Sequence, residues 1–177
     1  MIDGVFVKDL TTYPDERGFF REIVRFDDLG FVCRQSSQGR RLTGVSNGWH
    51  IHRGFNEIFY VSRGTARVVL KDCRSPDGVL IPTDFPYNDM YRVSVDYARN
   101  SGPSSTFGEY QEIVIGDYMP RCVLIPAGVA HGYKILSAEA DMIYYATETY
   151  LITRDDEGRI EPSRWPEHNW TRETETK

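Results

Sequence analysis

A turn signal every eight to twelve residues most constrains the fold of this chain. Between the turns lie short runs of β-branched and aromatic residues, which are typical strand formers. Residues 57–62 alternate in this way, and Arg63-Gly64 then turns the chain into a second run at 66–71. Only residues 27–29 indicate a short helical turn. The sequence therefore predicts an all-β barrel or sandwich with few or no helices, and the same composition marks further strands at 108–115, 121–125 and 141–147.

The length of 177 residues is typical of one domain. We expect a single domain over residues 1–170 and a frayed tail over 171–177, because the end of the chain is polar and charged. Residues 75–103 contain four prolines between polar stretches. This composition predicts an inserted loop or hairpin between two strands.

Net charge and cysteine content limit the classes of binding partner and the cellular compartment that we expect. Asp and Glu number 26 against 21 Lys and Arg, a net charge of −5 that argues against a nucleic-acid or membrane-surface partner. The three cysteines, Cys33, Cys73 and Cys122, share no C-x-x-C spacing and predict free thiols in a reducing compartment. The N-terminus lacks the basic-then-apolar build of a signal peptide, and no apolar run approaches the ~20 residues of a membrane span. A cytoplasmic location is expected.

Three of the four histidines fall into a pattern. His50 and His52 are separated by one residue, Glu57 follows five residues later, and His131 follows a Pro-x-Gly turn at 126–128. Residues i and i+2 of a strand point to one face, so His50 and His52 can converge on one centre. A short turn then brings Glu57 beside them. Three imidazoles and one carboxylate suit a divalent Fe, Mn, Ni, Co or Zn ion, with positions left for water or substrate.

These two segments, with Gly64 seven positions after Glu57, resemble the two signature motifs of the cupin superfamily. Cupins are small β-barrels of the jelly-roll type. The resemblance implies a cupin-type jelly-roll barrel for this chain. It allows a metal at His50, His52, Glu57 and His131 without requiring one.

Further motifs narrow the family. Residues 15–22 read DERGFFRE, residues 44–50 read GVSNGWH, residues 125–133 read IPAGVAHGY, and residues 155–160 read DDEGRI. In this order, together with residues 106–108, they resemble the dTDP-4-dehydrorhamnose 3,5-epimerases over most of residues 1–74 and 104–170. The resemblance implies epimerisation of a nucleotide-linked 4-keto-6-deoxyhexose, by proton abstraction and return beside the keto group and without a cofactor. It also implies a homodimer, since in this family the N-terminal segment reaches a neighbouring subunit.

The resemblance also implies roles for individual residues. His50 matches the family's base, Tyr144 its acid and His131 a second active-site histidine, and both side-chain types suit proton transfer. Trp49, beside His50, is a candidate for stacking on a sugar or base. Three further positions match substrate-binding residues near the phosphates or the sugar: Arg17, Gln35 and Asn47.

Departures from the family pattern keep two alternatives open. The family's lysine falls on Glu57, its arginine in the RGLH motif falls on Asn47, and its aspartate partner for the catalytic histidine lies beyond the position of Trp170, past the last residue of this sequence. One alternative is a metal-dependent cupin isomerase or oxygenase, in which His50 is a ligand and no longer a base. The other is a non-catalytic sugar-binding cupin.

Overall fold

A computed structural model describes residues 1–52, 54–76 and 103–150, together with the backbone of a short strand at 157–159. The predicted insertion at 75–103 falls almost entirely outside the described residues, and so does the predicted tail at 171–177. In the part of the chain that is described, no helix has the length and apolar character needed to cross a membrane.

Strands dominate the described residues. The one helical element among them is a 3₁₀ turn at Asp27–Leu29, where a short turn was expected. The five strands predicted from composition are present, with ends shifted by at most two residues. The strands are β1 Phe6–Asp9, β2 Thr12–Asp15, β3 Gly18–Arg21, β4 Gln35–Leu42, β5 Ser46–His52, β6 Glu57–Arg63, β7 Thr65–Asp72, β8 Tyr110–Gly116, β9 Arg121–Ile125, β10 Val129–Ile135, β11 Glu139–Ala146 and β12 Glu157–Arg159.

The strands form two five-stranded sheets and a separate hairpin. Sheet I has the order β1-β9-β6-β11-β4, sheet II has the order β12-β5-β10-β7-β8, and β2 and β3 form the hairpin. Every pairing is antiparallel. Neighbours in each sheet are distant in sequence, as in a jelly roll, so the predicted all-β jelly-roll fold is confirmed.

The main core lies between the two sheets. Alternate residues of β7, namely Ala66, Val68 and Leu70, are fully buried in it. Sheet I supplies facing apolar residues such as Val61 and Met142. Strand β10 lies inside sheet II, between β5 and β7, and is buried along its whole length. Burial of one face of each strand fixes the register, and so decides which side chains line the space between the sheets.

Gly64 makes the predicted turn between β6 and β7. Its φ of 82° lies in the left-handed region, and a Cβ there would collide with the backbone carbonyl of Glu139. Only glycine lets the turn pack this closely against the start of β11.

A buried ion pair joins the end of β7 to two neighbouring segments. The Asp72 carboxylate accepts hydrogen bonds from Arg74 Nε at 2.9 Å, Ser104 Oγ at 2.6 Å and Thr106 Oγ1 at 2.7 Å. Arg74 Nη2 also donates to the Asp3 carbonyl at 2.6 Å. Burial raises the pKa of Asp72, but the hydrogen bonds from Arg74, Ser104 and Thr106 outweigh it and hold the pKa below its usual range.

Replacing Asp72 with asparagine should lower the free energy of unfolding at pH 7 by about 3 kcal/mol, because the buried Arg74 cation loses its counterion. The folded pKa of Asp72 is lowered, so its contribution is complete above the ordinary carboxyl range and is lost as the pH falls. The stability gap between wild type and Asp72→Asn should therefore narrow below about pH 4. Urea unfolding of both proteins at a series of pH values measures this gap.

Asp15→Asn is the matched control, because Asp15 pairs with an arginine two residues on, as Asp72 does, but at an exposed site. We expect no measurable change in this control. Equal losses in the two variants, or a gap independent of pH, would contradict the role of the buried pair.

Candidate active site

A cavity of about 380 Å³ lies between the sheets and takes side chains from both. The walls are built by period-two alternation along five strands, which sends every second side chain inward. All the site residues predicted from the sequence line this cavity except Arg17 and Trp49. The predicted residues in its wall are Gln35, Asn47, His50, His52, Glu57, His131 and Tyr144.

Two buried histidines and a largely buried glutamate meet at one side of the cavity, which we call the floor: His52, His131 and Glu57. Glu57 Oε2 lies 3.4 Å from His52 Nε2 and 3.1 Å from His131 Nε2. The candidate ligand atoms of the three residues all lie within 4.8 Å of one another. Two imidazoles and a carboxylate therefore share one centre.

Hydrogen bonding requires a cation at the floor. His131 Nδ1 lies 3.0 Å from the Val129 carbonyl, which can only accept, so Nδ1 carries a proton. His131 Nε2 then faces the Glu57 carboxylate, which also accepts. A proton or a metal ion between Nε2 and Oε2 resolves the conflict. Burial raises the pKa of Glu57, but His52 and His131 outweigh burial and hold the pKa far below its usual range.

His50 lies beside the floor and outside the three-residue group. It is the register partner of His131 across β5 and β10, with the ring centres 6.3 Å apart. The sequence analysis placed His50 with His52, Glu57 and His131 as a fourth ligand. The geometry instead gathers three of these residues and leaves His50 in the adjoining cavity wall.

Tyr144 lies in the wall contributed by sheet I and is tied to a second tyrosine. Its hydroxyl donates to the Tyr133 hydroxyl at 2.8 Å, and Arg41 Nε and Asn47 Nδ2 each donate to the same oxygen at 3.2 Å. Burial, reinforced by Tyr133, raises the pKa of Tyr144. A tyrosine hydroxyl keeps its proton at neutral pH, so Tyr144 has a proton to donate.

Gln35 lines the cavity close to Tyr150, the last residue of the described range 103–150. Its Oε1 accepts a hydrogen bond from the Tyr150 backbone N–H at 2.7 Å, and its Nε2 donates to Ser37 Oγ at 3.1 Å. Both contacts hold the side chain along the wall. A glutamine amide in this position can contact sugar hydroxyls as donor and acceptor.

Trp49 and Arg17 do not line the cavity. Trp49 is 0% exposed and lies on the opposite face of β5 from His50, packed with Ile51 and edge-on to the Tyr110 ring. Period-two alternation is the reason, since neighbours in a strand face opposite ways. Arg17 lies at the turn of the β2–β3 hairpin, where its side chain is 82% exposed and pairs with Asp15 at 2.6 Å.

The sequence analysis did not single out Arg41, Tyr133 and Glu148, which also line the cavity. A period-two signal could have identified two of them. Tyr133 lies two residues after His131 on β10, and Arg41 lies six residues after Gln35 on β4. Each therefore shares a strand face with a residue already predicted to be in the site.

Comparison with known proteins places this site in a family. The family model for dTDP-4-dehydrorhamnose 3,5-epimerase matches residues 88–164. The spore coat polysaccharide biosynthesis protein SpsL of Bacillus subtilis is 34% identical over 162 residues, which cover 90% of this chain and 89% of SpsL. A dTDP-4-dehydrorhamnose 3,5-epimerase of Methanothermobacter thermautotrophicus is 29% identical over 154 residues, 84% of this chain and 70% of that enzyme. The chain belongs to the dTDP-4-dehydrorhamnose 3,5-epimerase family.

A solved structure of this epimerase family supports the same conclusion. The dTDP-6-deoxy-D-glucose-3,5-epimerase of Legionella pneumophila, crystallised in complex with dTDP-4-keto-L-rhamnose, is 26% identical with a TM-score of 0.68. The match covers 94% of this chain and 80% of that chain. The family resemblance drawn from the motifs is thus confirmed, and with it the isomerase class of enzyme.

Phe59 is the packing residue of the site, because its ring contacts Tyr144 and His131 edge-on at 5.1 and 5.3 Å between centres. Phe59→Leu should lower the free energy of unfolding by about 1–2 kcal/mol. It should also reduce epimerase turnover if the cavity is the active site, because the Tyr144 and His131 rings both lose their contact with Phe59.

Phe31→Leu is the control, since Phe31 is equally buried but packs with Phe26 in a separate cluster. Urea unfolding should give similar losses for the two variants, with turnover falling only in Phe59→Leu. Equal turnover in both would show that Phe59 does not support the site.

Proposed function

We propose that this chain epimerises a nucleotide-linked 4-keto-6-deoxyhexose at a carbon beside the keto group. One observation carries the proposal: the cavity has His50 on the wall from sheet II and Tyr144 on the wall from sheet I. Epimerisation needs a base on one face of the sugar ring and an acid on the other. The names of the related epimerases supply the substrate class, a dTDP-linked 4-keto sugar.

His50 takes the proton beside the keto group, and the electrons of the C–H bond move onto the keto oxygen to form an enolate. Tyr144 then gives its proton to the same carbon from the opposite face, which inverts the centre. His50 releases its proton to solvent, and Tyr144 recovers one from solvent. Only protons are transferred, so this reaction uses no redox cofactor.

The β2–β3 hairpin suggests how the site is completed. Its aromatic residues Tyr13, Phe19 and Phe20 are 60%, 60% and 67% exposed, which is typical of an interaction surface. We place this hairpin against a second copy of the chain in a homodimer, where Arg17 binds the nucleotide diphosphate of the other copy. Free thiols at all three cysteines fit a reducing cytoplasm as the location.

Tyr144→Phe should lower epimer formation by about 10²–10⁴-fold while hydrogen exchange beside the keto group continues, because the base remains. His50→Gln should abolish both exchange and epimer formation. Proton NMR of a dTDP-4-keto-6-deoxyhexose in D₂O follows the two events separately.

Tyr145→Phe is the matched control, because Tyr145 is next in sequence but packs against Phe26 on the other face of β11. It should retain wild-type rates. Full epimer formation by Tyr144→Phe would exclude Tyr144 as the acid.

Arg17→Gln should raise the Kd for dTDP by about tenfold, because one charge-assisted hydrogen bond to the diphosphate is lost. Calorimetric titration measures the affinity, and light scattering after size exclusion measures the mass. We expect a dimer for wild type and for the variant. A monomer, or an unchanged dTDP affinity, would contradict the arrangement.

A metal-dependent activity is the second candidate, and the three-residue floor favours it. At metal–ligand distances of about 2.0–2.1 Å, tetrahedral ligand atoms lie about 3.3 Å apart. His52 and His131 lie 3.4 and 3.1 Å from Glu57, so the donor set fits a divalent transition metal. Such an ion would polarise the keto oxygen as a Lewis acid. His50 is outside this set, so it can remain a base whether or not an ion is bound.

Metal analysis by inductively coupled plasma mass spectrometry should find near-stoichiometric transition metal in the wild type and little in Glu57→Gln. Glu148→Gln is the control, because Glu148 lines the same cavity outside the three-residue group. Absence of metal from all three samples after expression in metal-supplemented medium would leave a proton as the cation at the floor and reject the metal-dependent activity.

A further inference from the structure

We propose that Arg41, together with the Tyr133 hydroxyl, stabilises the enolate oxygen formed during epimerisation. The inference rests on the proposed function. It names the group that balances the negative charge developing on the keto oxygen in that reaction. The resemblance to the family leads us to expect a lysine near the sugar oxygens at position 57 and an arginine at position 47. This chain has Glu57 and Asn47 there, so neither position supplies a positively charged side chain.

Arg41 is the one lysine or arginine that lines the cavity among the residues the structure describes. Glu57 and Glu148 also line it, and the Glu57 carboxylate is held by the two histidines of the floor. A guanidinium is charged throughout the working pH range and offers five N–H donors. It is therefore suited to bind an oxyanion in a cavity that also contains two carboxylates.

Hydrogen-bond donors converge on the wall beside Arg41. The Tyr133 hydroxyl oxygen accepts hydrogen bonds from Tyr144 Oη at 2.8 Å, Arg41 Nε at 3.2 Å and Asn47 Nδ2 at 3.2 Å. A neutral phenol oxygen has two lone pairs, so three donors exceed what it can accept. This excess of donors, one of them cationic, makes the wall favourable for an additional negative oxygen.

The backbone beside Arg41 makes room for the guanidinium. Gly39 lies two residues earlier on the same face of β4, and a Cβ there would approach Arg41 Nη1 and Nη2 to 3.0 and 3.1 Å. Arg41 Nη1 also donates to the Arg40 carbonyl at 3.0 Å. The side chain is therefore held along the strand, where it lines the cavity.

The same wall holds the proposed acid. Arg41 reaches Tyr144 through one intervening hydroxyl, that of Tyr133. The enolate oxygen is bonded to C4 of the sugar, and the carbon that receives the proton is the next ring carbon. The group that stabilises the oxygen must therefore lie close to the acid that protonates the carbon, as Arg41 does.

The test compares Arg41→Gln, Arg41→Lys and Arg40→Gln. For each variant, the rate of deuterium exchange beside the keto group gives kcat and KM, and calorimetry gives the Kd for dTDP. We expect Arg41→Gln to lower kcat by about 10²–10³-fold, the usual loss for one oxyanion donor, with KM and the dTDP Kd within about threefold of wild type. Arg41→Lys should recover part of kcat because it keeps the charge.

Arg40→Gln is the matched control, because Arg40 precedes Arg41 but faces the other side of β4 and pairs with Asp141 at 2.8 Å. It should keep the wild-type kcat. If Arg41→Gln does not fold, Arg41→Lys carries the test, because loss of the bond from Nε to Tyr133 should still lower its kcat at least tenfold.

Two results would overturn the inference alone: an active wild type with kcat unchanged in Arg41→Gln, or an effect confined to KM or to dTDP affinity. The last outcome would make Arg41 a binding residue for the ground state or for the diphosphate. Failure of the wild type to exchange deuterium with any 4-keto nucleotide sugar would instead refute the proposed function, and the inference with it.

Discussion

The buried carboxylate of Glu57 determines the arrangement of the rest of the site. A carboxylate between two sheets needs hydrogen-bond donors or a cation beside it, and the Nε2 atoms of His52 and His131 lie 3.4 and 3.1 Å from it. These two histidines are thereby committed to the floor. His50, which lies outside this group, and Tyr144, on the opposite sheet, are the two cavity residues to which we assign the proton transfers.

A negative charge at position 57 has a second consequence. The family resemblance implies a lysine there, and the glutamate of this chain has the opposite charge. Arg41 on β4 lies in the cavity wall and donates to the Tyr133 hydroxyl at 3.2 Å. In this chain the cationic side chain in the cavity wall therefore comes from β4. In the proposed mechanism the base and the candidate metal ligands are different histidines, because His50 lies outside the three-residue floor.

Local pattern predicted much of the fold and part of the site. Alternation of apolar and polar residues located the strands, and the His-x-His spacing located His50 and His52 on one face. The same alternation places Trp49 on the opposite face. The sequence analysis did not apply this rule when it made Trp49 a candidate for stacking. Contacts across the two sheets were not predictable, because the spacing of residues along one strand carries no information about the strand that faces it. The hydrogen bond from Arg41 to Tyr133 and the position of His50 outside the floor both depend on such contacts.

The central claim is that the sugar ring binds between His50 and Tyr144. The most direct test is a crystal structure of the protein with a dTDP-linked 4-hydroxy-6-deoxyhexose, an unreactive analogue of the keto substrate. The account predicts the ring between these two residues, with the oxygen on C4 within hydrogen-bonding distance of Arg41 or Tyr133. A sugar bound outside the cavity, or one with the C4 oxygen directed away from that wall, would contradict it.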